Sequence, residues 1–464
     1  MRKNIKVLFL ISTLVILLVG LGTISAQSLD DSQDVFDDSL IDVDSNVPEQ
    51  TDLKSIEKQT FENNVKGASE ASDYAELKSY VNGATDAETE INLEEKTYAI
   101  DESIVWGTSE TAKTLTINGN GATIDGSNNY QFMTVNEGYT LNLNNLIIQN
   151  TLAENGSAIR NYGTLNVNNV TFKDNVAQKT TGKLAGGAAI YSEGTLNIEG
   201  NSHFIGNRIV GGVNGDGAAI YTNSAIYVKD TQFDSNIAEY TDADSNSNGA
   251  NGGAICVENS TSDMIIINST FTNNKGRHGG AINIFDKQGR NQGTKKITGS
   301  TFKGNQAIYG GAIEVYNDLI IEDSTFEENS VKGVGSSNYK PLGGAICSNN
   351  LTDTGLLTLS IKNTTFERNT APQTEVSGST LVGYGGAIYS SAIDTIIDNY
   401  SGLIVCAAGN DGINNDGNNP SLPSSYSCGN IISVGAIDEN GNRSIWNSFQ
   451  SSNYGTNSVD IYAP

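Results

Sequence analysis

Through most of this chain, apolar and polar residues alternate in short runs such as TLNV, TLNI, DLII and LTLSI. A period of two places one side of an extended chain in a core and the other in water, so each run predicts a short strand. Two words punctuate the runs. Gly/Ala-Ala-Ile recurs with Ile at 190, 220, 255, 282, 313, 346 and 388, and GSAI at Ile159 is a degenerate first copy. Phe-x-x-Asn begins at Phe172, Phe204, Phe233, Phe271, Phe302, Phe326 and Phe366, with steps of 24 to 40 residues. A unit of that size offers three short strands and cannot bury its apolar side alone, whereas stacked copies can. Ile, Leu and Phe then form inward ladders, and each strand bonds to the coils above and below. The Gly pair permits a sharp corner. The recurrent Asn either takes a left-handed turn or bonds its copy one coil away. Variable stretches such as EYTDADSNSNGAN are expected outside.

The pattern therefore predicts a mainly β chain, with a right-handed parallel β-helix solenoid over residues 67–390. SDYAELKSYV is expected as a short helix covering its open N-terminal end, where bare strand edges invite aggregation. Asp73 stands three residues before Glu76 as in a capping box, and Tyr74, Leu77, Tyr80 and Val81 share one helical face. From 391 to 464 the pattern changes. SAIDTIIDNYSG puts Ile393, Ile396, Ile397 and Tyr400 on one helical face, with Gly402 as a stop. LIVCAAGN and NIISVGA are continuous apolar runs of the kind buried in a parallel sheet, so a truncated α/β segment is expected there.

The N-terminus has its own logic. Residues 1–26 combine a basic start (MRKNIK), an apolar stretch and a small-residue end at Ala26, as in a signal peptide, or an anchor if left uncleaved. Residues 27–66 are acidic and turn-rich, which predicts a disordered linker. A formal charge of -26, 50 Gly, 6 Pro and 27 Lys plus Arg exclude nucleic-acid binding and suit an extracellular β protein kept soluble by charge. Asn155, Asn169, Asn259, Asn268, Asn350, Asn363, Asn399 and Asn442 lie in glycosylation sequons.

Catalysis on a solenoid needs a singular cluster of carboxylates, or carboxylates beside a base. The sequence displays repeated positions instead. His278 stands just ahead of a Gly-Gly-Ala-Ile word and His203 just before Phe204, so both are repeat positions first. DSNSNG at 244–249 starts like a calcium loop, but its twelfth position is Ile255 where Glu is required. GGVNGDGAA reads as a flexible corner. No cofactor is expected; acidic loops of this kind can hold calcium diffusely, and the metal ligands are unknown. Cys256 and Cys347 follow Gly-Gly-Ala-Ile words as small buried residues, while Cys406 and Cys428 can pair in an oxidising compartment.

The GGAI and FxxN pair resembles the repeats of polymorphic outer-membrane adhesins. Together with YAELKSYVNGA and NGNGATIDGSNNYQF…LNLNNLIIQN it is similar to the adhesin-like surface proteins of methanogens. That resemblance implies a secreted or cell-surface protein whose partners are surface glycans or other cells and proteins, with membrane contact only through an uncleaved leader. AAGNDG, YSCGNIISVGAID and SNYGTNSVDIYAP, in that order, resemble the subtilisin-like serine proteases (subtilases). By that resemblance Asn410 corresponds to the oxyanion-hole Asn. The family's catalytic Asp, its His in an H-G-T-H-like word and its Ser in a Gly-Thr-Ser-Met-like word have no counterpart here. The expected function is thus a catalytically inactive adhesin. The alternative is a subtilisin-like endopeptidase whose catalytic segments lie outside this fragmentary or rearranged chain.

Overall fold

The computed structural model describes residues 68–463, apart from 112, 179–185, 211–214, 239–248, 259–260, 286–292, 334–339, 350–357, 377–378, 391–393, 399–403, 409–411, 418–430, 439 and 448–449. The expectations for residues 1–66 therefore lie outside the described residues. Those described belong to one compact unit, 64–464.

The chain is a parallel β solenoid. One sheet of twenty strands and another of ten run its length, joined by shorter ladders. The ten-strand sheet is built on the Gly/Ala-Ala-Ile words, whose Ile residues pair in unbroken register from Ile159 through Ile190, Ile220, Ile255, Ile282, Ile313 and Ile346 to Ile388. All but Ile388 are wholly buried. The seven Phe rings stack face to face at 4.7–5.0 Å. That is the spacing of neighbouring strands, which sets the ring separation.

The Phe-x-x-Asn word divides its labour. The left-handed turn falls on the residue before the Asn, at Asp174, Gly206, Ser235, Asn273, Gly304, Glu328 and Arg368. The Asn itself bonds its copy. Asn175, Asn207, Asn236, Asn274, Asn305 and Asn329 each donate Nδ2 to Oδ1 of the Asn one coil on, at 2.9–3.0 Å. Each ladder Asn after the first also donates Nδ2 to the carbonyl of the Phe one word back, as Asn274 does to Phe233 at 3.0 Å. Its Oδ1 takes a second bond from the main-chain N–H of the preceding Asn, as from Asn236 to Asn274 at 3.0 Å. An amide buried in an apolar core is costly unless bonded, and here its donors and acceptor are all used. At the corner, Gly279 has φ +64 and an added Cβ would lie 1.9 Å from the Ile282 carbonyl oxygen, so only Gly fits.

The N-terminal cover is the helix Tyr74–Asn82. Asp73 accepts from the N–H of Glu76 at 2.8 Å, while the Glu76 carboxylate accepts from the N–H of Ser72 rather than that of Asp73. Tyr74, Leu77 and Val81 are buried, whereas Tyr80, expected on the same face, is exposed.

The helix expected around Ile393–Tyr400 is not formed. Asp394–Asp398 is a strand that pairs in parallel with Thr358–Lys362. The edge of the preceding coil offers five residues of ladder to a segment rich in β-branched Thr and Ile, and that outweighs helical periodicity. The long sheet thus continues past residue 390.

Candidate functional site

Two places depart from the repeat. The first is on the outward side of the Gly/Ala-Ala-Ile strands. The residue after each Ile forms a row: Arg160, Tyr191, Tyr221, Cys256, Asn283, Glu314, Cys347 and Tyr389. Glu314 is the one acid in that row and is wholly buried. Four donors reach its carboxylate. His278 Nδ1 lies 2.7 Å from Oε2 and Asn283 Nδ2 3.2 Å from it. The Tyr316 hydroxyl donates to Oε1 at 2.9 Å and Asn349 Nδ2 at 3.0 Å. The His278 ring also stacks on Tyr309, with centroids 5.0 Å apart.

These donors come from three successive coils, so the carboxylate works as a staple. A carboxylate with four donors on two oxygens has no lone pair left to take a proton from a substrate. Burial, with the Glu314 charge beside it, pushes the Tyr316 hydroxyl and the Cys347 thiol up, so both stay protonated. Cys347 and Cys256 are buried and have the character of packing residues. His203 lies in its repeat slot, between Thr171 and Gln232 of the adjacent coils. Sequence reasoning placed His278 correctly in a slot but missed its partner. The signal was available: only one Gly-Gly-Ala-Ile word is followed by an acid.

The second place is the C-terminal segment. Strands Ile404–Ala407, Ile431–Ala436 and Ile461–Ala463 form a parallel three-stranded sheet, in that order. Asn410, Cys428, Ser448 and residues 244–248 of the DSNSNG stretch lie outside the described residues. Around them, the end of the first strand is clamped by two buried amides. Asn415 Nδ2 donates to the Ala408 carbonyl at 2.8 Å, and Asn453 Nδ2 donates to Asn415 Oδ1 at 3.1 Å. Asp416 ties the turn at 456–458. It accepts from the N–H and hydroxyl of Thr456 at 2.7 and 3.0 Å and from the N–H of Asn457 at 3.2 Å. The Ser458 hydroxyl beside it and the bonds from these amides hold its carboxyl down to about 2.

Beside this sheet a shallow cleft of about 390 Å³ is lined by Ile437, Gly441, Arg443, Tyr454 and Tyr462. A tight turn makes one wall: Gly441 N–H donates to Asp438 O at 3.0 Å, which brings Arg443 back against Ile437. The guanidinium carbon lies 4.6 Å from the Tyr454 ring centre. Tyr454 is held by its N–H to Ile413 O and its carbonyl to Asn415 N. Tyr462 sits opposite Gly435 in the sheet, so close that a Cβ there would lie 2.4 Å from its ring.

Residues 355–464 match the model of the Subtilase family. The matched range begins within the solenoid and includes the stacked strands Thr358–Lys362, Thr365–Glu367 and Ile388–Ser390 as well as the C-terminal sheet. Neither the curated proteins nor the solved structures give a match to the chain. Among the described residues there is no group of three or more His, Cys, Asp or Glu placed to hold a metal, and no helix is long and apolar enough to cross a membrane.

Proposed function

We propose that this chain is a secreted or cell-surface β-helix protein of the adhesin type, with a subtilase-like C-terminal segment that does not turn over peptides. The observation that carries the reading is the place of its two histidines. His203 occupies a strand slot of the solenoid and His278 is bonded to buried Glu314, so residues 355–464 contain no imidazole. A serine peptidase of this type needs one within hydrogen-bond reach of its nucleophile. An oxyanion donor at Asn410 would be worth about 3–4 kcal/mol to a barrier that nothing else here lowers. Ser444, one of the local serines the structure describes, is half-buried and gives its N–H to the Ala436 carbonyl. A rigid column with outward loops suits a protein that presents binding surfaces, with surface glycans or neighbouring cells as partners.

The test is direct. Purified residues 27–464 should show no peptidase turnover and no labelling by serine-directed phosphonates; labelling abolished by changing either His would overturn the reading. The match of residues 355–464 to the Subtilase family favours a second reading, an endopeptidase whose catalytic Asp, His and Ser come from outside these residues. Sequencing the locus beyond codon 464 separates the two: an in-frame Gly-Thr-Ser word would favour the protease.

A further inference from the structure

Arg443 is the only Lys or Arg after Arg368, in a stretch with eight Asp and Glu. Among the described residues it forms no ion pair. Its one hydrogen bond is a long contact of 3.5 Å from Nη1 to the Gly412 carbonyl. A guanidinium carries five N–H donors in a planar fork, and among the described residues one acceptor is recorded for those of Arg443, which lines the cleft. In a chain this acidic, a half-buried cation with no carboxylate partner among the described residues offers its charge to an anion. The walls of the cleft are apolar or aromatic: Ile437 lines it with Tyr454, 40% exposed, and Tyr462, 41% exposed.

We infer that this cleft binds a carboxylated sugar, such as a uronic-acid unit of a surface glycan. The inference rests on the glycan-binding reading above and names the ligand class. The charge demands an anion, and the planar fork matches a carboxylate with two parallel bonds. The two tyrosine rings offer flat apolar surface with a polar tip, against which the C–H face of a pyranose can lie. The volume falls at the lower end of the range for small-ligand sites, roughly 300–1,000 Å³. Tyr454 is fixed by two main-chain bonds and Tyr462 by its fit on Gly435, so the walls are set before a ligand arrives. The Asp438 carboxylate, in the turn that makes one wall, accepts from the N–H groups of Asn440 and Asn442 at 2.9 and 2.8 Å, and charges farther off are screened at physiological salt, where the Debye length is about 8 Å.

The experiment is calorimetric titration of the full chain at physiological salt with trigalacturonate, its methyl ester and inorganic phosphate. Trigalacturonate should bind, the ester about ten- to a hundredfold more weakly, matching loss of a charge-assisted pair. Arg443→Gln should abolish the difference between acid and ester, and Arg443→Lys should restore it in part. Phenylglyoxal modification of Arg443 in the unaltered chain, slowed by trigalacturonate, gives the same answer if the variants do not fold. Equal binding of acid and ester, binding unaffected by Arg443→Gln, or phosphate binding in place of the uronate would overturn the inference. A chain that binds neutral glycans on an array and no uronate refutes this site alone; one that binds no glycan refutes the glycan-binding reading with it.

Discussion

Replacing Asn274 with Ala removes a wholly buried side chain that takes part in four hydrogen bonds. It donates to Phe233 O and Asn305 Oδ1 and accepts from the main-chain and side-chain N–H groups of Asn236. The substitution strands the two Asn236 donors in an apolar core. Each orphan costs about 1–3 kcal/mol, so a loss of roughly 2–6 kcal/mol is expected. The control is Asn144→Ala in the long sheet. That amide is half-buried and makes one contact, to Asn118 Oδ1 at 3.0 Å, so its loss should cost about 1 kcal/mol or less. Asn274→Asp sharpens the test. It keeps the acceptor but sets an oxygen against the Phe233 carbonyl and Asn305 Oδ1. The folded state then disfavours ionisation, raising its pKa above an unfolded value of about 3.9. Its stability should therefore be fully present below about pH 4 and be lost as pH rises through the raised folded value. Urea unfolding followed by circular dichroism gives the total. Hydrogen exchange locates the loss, since a solenoid opens coil by coil. Equal losses for Asn274→Ala and Asn144→Ala would refute the reasoning.

Two further outcomes follow from particular residues. Lys295 occupies an inward slot that the coils on either side fill with Met264 and Leu319, and its Nζ donates to Ser262 O at 2.7 Å. Lys295→Met should be neutral or stabilising by about 1–4 kcal/mol in urea titration; a loss above about 2 kcal/mol would mean that the ammonium holds its loop. The Asp416 carboxyl, held down to about 2, stabilises the 456–458 turn above its unfolded pKa, and that contribution is lost as pH falls through about 2. Amide exchange at Thr456 and Asn457 should accelerate between pH 4 and 2, and Asp416→Asn should remove the step.

The solenoid was legible because the words that make it are also its contacts. Each Ile, Phe and Asn of the two words meets its own copy, so spacing in the sequence translates directly into register. The Asn ladder was foreseen as one of two alternatives. Both turned out to be used, on adjacent residues, which no periodicity separates. The segment after residue 390 was less legible. Ile393, Ile396 and Ile397 have helical spacing, and a free ladder edge on the preceding coil decided for a strand. Glu314 and Arg443 escaped for another reason. A motif search looks for what recurs, and these two are informative because each occurs once.

The Asn column has a direction. Every amide from Asn175 to Asn329 points one Nδ2–H toward the C-terminus, and the column starts with the Thr151 hydroxyl donating to Asn175 Oδ1 at 2.7 Å. Dipoles aligned head to tail polarise one another. A chain made or exported N-terminus first would leave, at each moment, a finished coil with an open donor, and the next Phe-x-x-Asn word to emerge brings its acceptor. Assembly from the other end would present acceptors before their donors exist, so the order of synthesis and the polarity of the fold run the same way.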